Sequence, residues 1–279
     1  MTSIKTLRTQ AATSSTDKEA KRETVSLTAP PSWNAMTQEQ LRYTLRMMTV
    51  YEDMTAVKTC MFIRFTGIEV LKKNRYGWKC RMEINGKQRA VYLHTWEVQS
   101  FIHQFDYIDT YEDMGCRLDA VCGLVAVDTH LHGVSFADYL MAEKYYQLYM
   151  GDRKDEWLDK LAWPLYVHED GKHSGEDGHE DDKEWTLAPE ERLGVFLWFS
   201  YVKSVLSRNF KHFFKVSSEG GREPMSLIDQ YNVQLRALTD GDVTKEEKVL
   251  QLDCWRTLTE LDAKAREAAE LENLRKKQK

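Results

Sequence analysis

The segment CGLVAVDTHLHG, Cys122 to Gly133, carries the residue types of a metal centre. An apolar, strand-like run ends in Asp128 and is followed by His130 and His132. Side chains two apart on a strand point to the same side, so both imidazoles could reach one metal ion. The chemistry on offer is that of a metal-dependent hydrolase.

Such a centre needs elements that deliver its other ligands. The D-x-H-x-H segment resembles the first metal-binding strand of the amidohydrolase barrels, and that resemblance implies further ligands on later strands alternating with helices. Downstream of His132 no series of Val/Ile-rich strands follows. The histidines that remain there are His168, His173 and His179 in an acidic segment and His212 on a predicted helix. The segment also runs straight into a helix start at Ser135. A structured turn with hydrogen-bonded histidines is therefore the expectation. A hydrolase using Asp128, His130 and His132 is the alternative.

Three other stretches have suggestive composition. His168 to Glu184 holds three histidines and eight carboxylates, enough to chelate a divalent cation weakly. Its glycines fix no geometry and it lacks the ordered positions of an EF-hand loop, so it reads as a solvated insertion between helices. Asp240 and Asp242 flank Gly241, as in a cation or phosphate site. A helix-helix turn explains them more simply, with Gly241 ending one helix and Thr244 capping the next. In NRYGWKCR, aromatic and basic residues adjoin, and aromatic rings can stack on bases. A hairpin with one buried face has the same composition. A nucleic-acid-binding protein using this hairpin with Lys72, Lys73 and Arg75 stands as a second alternative. Cys60, Cys80, Cys116, Cys122 and Cys254 lie in apolar or mixed surroundings and none reads as a nucleophile. No Ser-His-Asp set, P-loop or Rossmann glycine pattern is visible. No catalytic residue, cofactor-binding residue or metal ligand is assigned.

The elements around these residues follow from periodicity and caps. Thr37 with Gln40 forms a capping box that predicts a helix over about 38–49, with Met36 and Leu41 as its staple. A second helix, in DMTAVKTCMFIRF, stops near Gly67. Alternation on either side of Asn85-Gly86 then predicts an antiparallel hairpin at about 76–93. Thr95 is read as the cap of a helix with Trp96, Phe101, Ile102 and Phe105 on one face. Residues 115–127 are open between short helix and strand. From Ser135 onward the pattern is helical. Ser135 with Asp138 starts a helix to which Tyr139, Leu140, Tyr146 and Met150 give apolar contacts. KDEWLDKLAWPLY is another, ended by Pro164. Pro189 opens a long helix through the wide apolar run LGVFLWFSYV. Two helices follow, the second capped by Thr244 with Glu247 three residues on. The fold class expected is mainly α (α+β), a multi-helix domain with one embedded hairpin. Its parts are a flexible arm over 1–31, a domain over 32–262 and a charged helical tail over 263–279.

The chain has 279 residues, 42% hydrophobic and 30% charged, and can bury a sizeable core. The formal charge of -5 argues against a general nucleic-acid binder, although local basic patches stay open. Five cysteines without a C-x-x-C pair read as reduced thiols. The N-terminus lacks a signal-peptide core, and the longest apolar run is about half the ~20 residues of a membrane helix. A soluble cytoplasmic protein, away from the membrane, is expected.

The C-terminal stretch QYNVQLRALTDGDVTKEEKVLQLDCWRTLTELDAKAREAAEL resembles the ending of proteins encoded in phages and prophages of gut Bacteroidetes. SWNAMTQEQLRYTLRMM, YLMAEKYYQLYM and ERLGVFLWFSYVKSVLSRNFKHFF are similar to the same group, so the resemblance runs from Trp33 onward. Such proteins resemble others encoded among virion morphogenesis genes near tail components. The resemblance implies a non-enzymatic structural or assembly role, as a tail-assembly chaperone or a tail or connector component. Tail tube or tape-measure proteins would be partners, with homo-oligomerisation a further option. The location would be the host cytoplasm during assembly, or the virion. It carries over no site residues, and neither a cofactor nor nucleic acid is an expected partner.

Overall fold

Thr37 accepts a hydrogen bond from the backbone N–H of Gln40 (3.2 Å), and the Gln40 side chain accepts from the Thr37 N–H (2.9 Å). This reciprocal box starts α1 (Gln38–Val50) in the computed structural model, which describes residues 27–84, 86–169, 171, 186–215 and 226–277. The arm read over 1–31 lies outside the described residues as far as 26. So do Asn85 and the acidic segment 168–184 apart from His168, Glu169 and Gly171. The fold is mainly α with two small antiparallel sheets. The chain divides into two compact units, Met1–Asp113 and Met114–Lys279, a division that falls inside the span 32–262 read as one domain.

In the first unit Asp53 caps α2 (Met54–Thr66) by accepting from the Thr55 N–H (2.9 Å), and the helix stops at Gly67, whose φ of +68° suits glycine. The expected hairpin is present as β2 (Gly77–Ile84) and β3 (Lys87–His94). β1 (Glu69–Asn74) extends it to a sheet of order β1-β2-β3. Asn74 Oδ1 accepts from the N–H groups of Tyr76 (2.9 Å) and Gly77 (3.0 Å), an Asx turn that closes the first hairpin. Gly77 must be glycine, because a Cβ there would lie 2.1 Å from the Leu93 carbonyl oxygen.

One face of the sheet joins Cys80, Met82, Val91 and Leu93 to Leu45, Val57, Met61 and Phe62 in the core. Phe62 stacks on Phe101 at 5.0 Å. Phe101 belongs to α3 (Thr95–Ile102), whose cap is His94 rather than Thr95: the Glu97 carboxylate accepts from the His94 N–H at 2.7 Å. Trp96 does not share the buried face with Phe101 and Phe105. It is 65% exposed, because α3 packs through Glu97, Val98 and Phe101.

In the second unit the open segment 115–127 resolves into strands. β4 (Ala120–Val121), β5 (Leu124–Ala126) and β6 (Tyr166–Val167) form a sheet in that order. α4 (Phe136–Asp152) is capped by Ser135, which accepts from the Asp138 N–H, and α5 (Glu156–Ala162) follows. α6 (Pro189–Asn209) supplies the most buried face, including Val195, Trp198, Phe199, Val202 and Leu206. Burying each such side chain contributes about 1.5–3 kcal/mol. Met150, read as a contact of α4, is instead exposed at the helix end.

α7 (Leu227–Thr239) leads to a further correction. The helix read from Thr244 is two helices, α8 (Glu246–Leu250) and α9 (Cys254–Lys277). Thr244 does not cap a helix: it lies in the 3-10 turn Val243–Lys245 ahead of α8, a turn that Asp242 caps by accepting from the Thr244 N–H (3.1 Å) and hydroxyl (2.6 Å). The break has a tertiary cause. Leu252 C=O accepts from Phe136 N–H (2.7 Å) and Cys254 N–H donates to Val134 C=O (2.8 Å), so residues 252–254 spend their backbone groups on the start of α4.

Candidate functional site

Asp128 accepts from the backbone N–H groups of His130 (2.9 Å) and His132 (3.1 Å). Burial raises its pKa, but these two bonds outweigh it and hold the carboxyl below its ordinary value. The turn they close puts Leu131 at φ +66°, a left-handed conformation that side chains disfavour, and buries its side chain completely. Its carbonyls are met from two helices. Trp198 Nε1 on α6 donates to Thr129 O (2.9 Å) and Trp255 Nε1 on α9 donates to His130 O (2.6 Å). The Cys254 thiol reaches Leu131 O at 3.2 Å.

The imidazoles are engaged on the same helices. His130 Nε2 lies 3.3 Å from the Tyr201 hydroxyl, and His132 stacks on Trp255 with ring centroids 4.6 Å apart. Asp128 is thus a backbone acceptor, and each histidine has its own partner. Among the described residues no three His, Cys, Asp or Glu side chains group as a metal site. The arrangement locks the segment before α4 onto α6 and α9.

Asp240 and Asp242 are likewise occupied. Asp240 ends α7 in a left-handed conformation (φ +53°) and accepts from Lys264 Nζ at 2.8 Å, while Lys264 also donates to Ala237 O (2.7 Å). The Lys264 bond holds the Asp240 carboxyl below its ordinary value. Cys254 and Cys80 are buried, and desolvation pushes their thiols up to about 12 and about 11. Burial likewise raises half-buried Cys116 to about 11. Cys122 alone is exposed. A raised thiol is a poor nucleophile, since the thiolate is the reactive form.

What the second unit leaves open is a surface. The only buried residue of α7 is Thr239, and Ile228 and Val233 are 71% and 56% exposed. A groove of about 400 Å³ is lined by Leu238, Val249, Leu252 and Thr257, with Arg256 and Glu260 beside them. α9 is buried at Cys254, Thr257, Leu258 and Leu261, and no described residue beyond Leu261 is buried. Leu271 and Leu274, three apart and therefore on one helical face, lie in the open. Sequence reasoning read this tail as charged and did not single out the two leucines.

In the first unit, Lys72 and Lys73 lie on β1, and Arg75 in the turn to β2, all exposed. Lys73 Nζ sits 4.1 Å above the Trp78 ring, and the Arg75 guanidinium 4.5 Å above Tyr76. No protein-family model, curated protein or solved structure matches the chain. No helix among the described residues is long and apolar enough to cross a membrane.

Proposed function

We propose that the protein is a non-enzymatic phage structural or assembly protein, a tail-assembly chaperone or a tail or connector component, working through protein–protein contacts. The phage setting rests on the resemblance of the segments from Trp33 onward. The contact function rests on one observation: α9 runs on past Leu261 with no buried residue and presents Leu271 and Leu274 on one face. Most helical stability in proteins comes from packing an apolar face, and this stretch has none packed. The i,i+4 ion pairs Arg266–Glu270 and Lys276–Glu272 each add only a few tenths of a kcal/mol. A partner groove that takes up the leucines supplies the missing burial.

The test is co-expression of the full chain with tail tube and tape-measure proteins, followed by size-exclusion chromatography with light scattering. A defined complex that is lost in Leu271→Glu/Leu274→Glu supports the reading. A chain that stays monomeric beside every tail protein, or a complex indifferent to both substitutions, contradicts it.

A further inference from the structure

Residues 69–94, which form the β1-β2-β3 sheet, contain seven Lys or Arg against two Glu, a local charge of +5 in a chain of -5. The cations are not spread evenly. Lys72 pairs across the β1–β2 register with Lys79, and Lys79 pairs across β2–β3 with Tyr92, so these three form one row over three strands. Arg81 in the next row is neutralised by Glu69 at 2.9 Å. Lys72, Lys73, Arg75 and Lys79 have no carboxylate at ion-pair distance among the described residues.

The same end of the sheet displays aromatic rings. The Thr95 N–H donates to Tyr76 O (3.0 Å) and the Thr95 hydroxyl to Arg75 O (3.2 Å). These bonds hold the β1–β2 turn against the start of α3. They bring Tyr76 and Trp96 to one edge, where they are 61% and 65% exposed. Neither ring is needed by the core, and the Arg75 guanidinium lies 4.5 Å over Tyr76.

We infer that this end of the sheet is a binding site for single-stranded nucleic acid. Lys72 and Lys79 on one face of the sheet, with Arg75 in the turn beside them, meet phosphates, and bases stack on Tyr76 and Trp96; Lys73, in register with Trp78, belongs to the opposite face. Charge complementarity selects a polyanion. The exposed rings select unpaired bases, whose faces are free, over a duplex, whose faces are stacked inside. Arg75 is already drawn over the Tyr76 ring, so less of its side-chain freedom is lost when a phosphate docks. The inference is independent of the α9 contact surface.

Fluorescence anisotropy with the full chain and short labelled single-stranded DNA and RNA of mixed sequence tests it, over a salt series. Binding should weaken with salt. Lys72→Gln/Arg75→Gln/Lys79→Gln should flatten the slope of log K against log salt by about 2, at about 0.7 per phosphate contact. Tyr76→Ala/Trp96→Ala should weaken binding by roughly tenfold or more at unchanged slope. Both variants change exposed side chains, and unaltered circular dichroism and melting verify that they fold. Tighter binding of either strand type identifies RNA or DNA as the natural ligand, and both agree with the site. Three results would overturn it: no binding at low salt; equal competition by duplex, heparin or phosphatidylserine vesicles with no effect of Tyr76→Ala/Trp96→Ala; or an equal loss on neutralising Lys276 and Lys277 of α9.

Discussion

Lys72 lies directly across the β1–β2 pair from Lys79, two exposed ammonium groups in register with no carboxylate beside them among the described residues. Like charges directly opposite destabilise a sheet by roughly 0.2–1 kcal/mol. Lys72→Glu turns the repulsion into attraction. It is expected to raise stability by up to about 1 kcal/mol at low ionic strength, a gain that shrinks as salt screens it. Denaturant unfolding at two salt concentrations checks this. The same substitution should weaken oligonucleotide binding, so stability and binding move in opposite directions. A destabilised Lys72→Glu would mean that the pair is not repulsive.

A second prediction concerns Lys58, 7% exposed on α2, whose ammonium donates to Asp106 and Asp109 at 2.6 Å each. Burial lowers its pKa, but the two carboxylates outweigh it and leave the group above its ordinary value. The Lys58 hydrogen bond in turn lowers Asp106. Because the Asp106 pKa is depressed on folding, its contribution is present above the unfolded carboxyl value and is lost as pH falls through the folded one. The Lys58 contribution runs the other way, present below the unfolded lysine value and lost as pH rises through the folded one. Lys58→Met is expected to cost about 1–3 kcal/mol, below a fully buried pair because both carboxylates are half exposed. It should also flatten the acid limb of stability against pH, as thermal unfolding across the acid range would record.

Asp128 gives a third prediction. Asp128→Ala releases the N–H groups of His130 and His132 and should cost about 1–2 kcal/mol, with Asp128→Asn recovering most of it. The depressed carboxyl pKa makes this contribution full above the unfolded carboxyl value and lost as pH falls through the folded one. Replacing His130 and His132 with alanine should leave the zinc content of the purified protein unchanged by elemental analysis. Stoichiometric zinc that vanishes with the two histidines would revive the hydrolase reading.

The thiols offer a fourth. At mildly alkaline pH, iodoacetamide should modify Cys122 first and leave Cys80, Cys116 and Cys254 protected until the chain unfolds. Peptide mapping of native and denatured samples reads this directly. Rapid native labelling of Cys254 would mean that the contact between the 128–133 turn and α9 opens readily.

The parts of this fold that were legible in the sequence are those with local causes. The Thr37–Gln40 box, the Ser135 cap, the Pro189 start and the β2–β3 hairpin each depend on residues a few positions apart. What was not legible depends on distant partners. The α8–α9 break needs residues 134–136 to take the backbone groups of 252–254. The outward Trp96 follows from which side of a short α3 meets Phe62. The β4–β5 turn went unread because it places Cys122, at φ +49°, before Gly123 at +80°, where the usual signal is Asn-Gly. The histidine segment was legible as a turn, but not that Trp198 and Trp255 would hold its carbonyls. The basic sheet was legible as composition only. The Lys72–Lys79–Tyr92 row required the strand register, since the net charge of -5 conceals a local +5.

The central claim, a phage structural or assembly protein, is tested most directly by quantitative mass spectrometry of purified phage particles beside the lysate of infected cells. The account predicts the protein at a fixed stoichiometry in particles, as a tail or connector component, or abundant in the lysate and missing from particles, as a chaperone. Expression that never coincides with particle formation would contradict it.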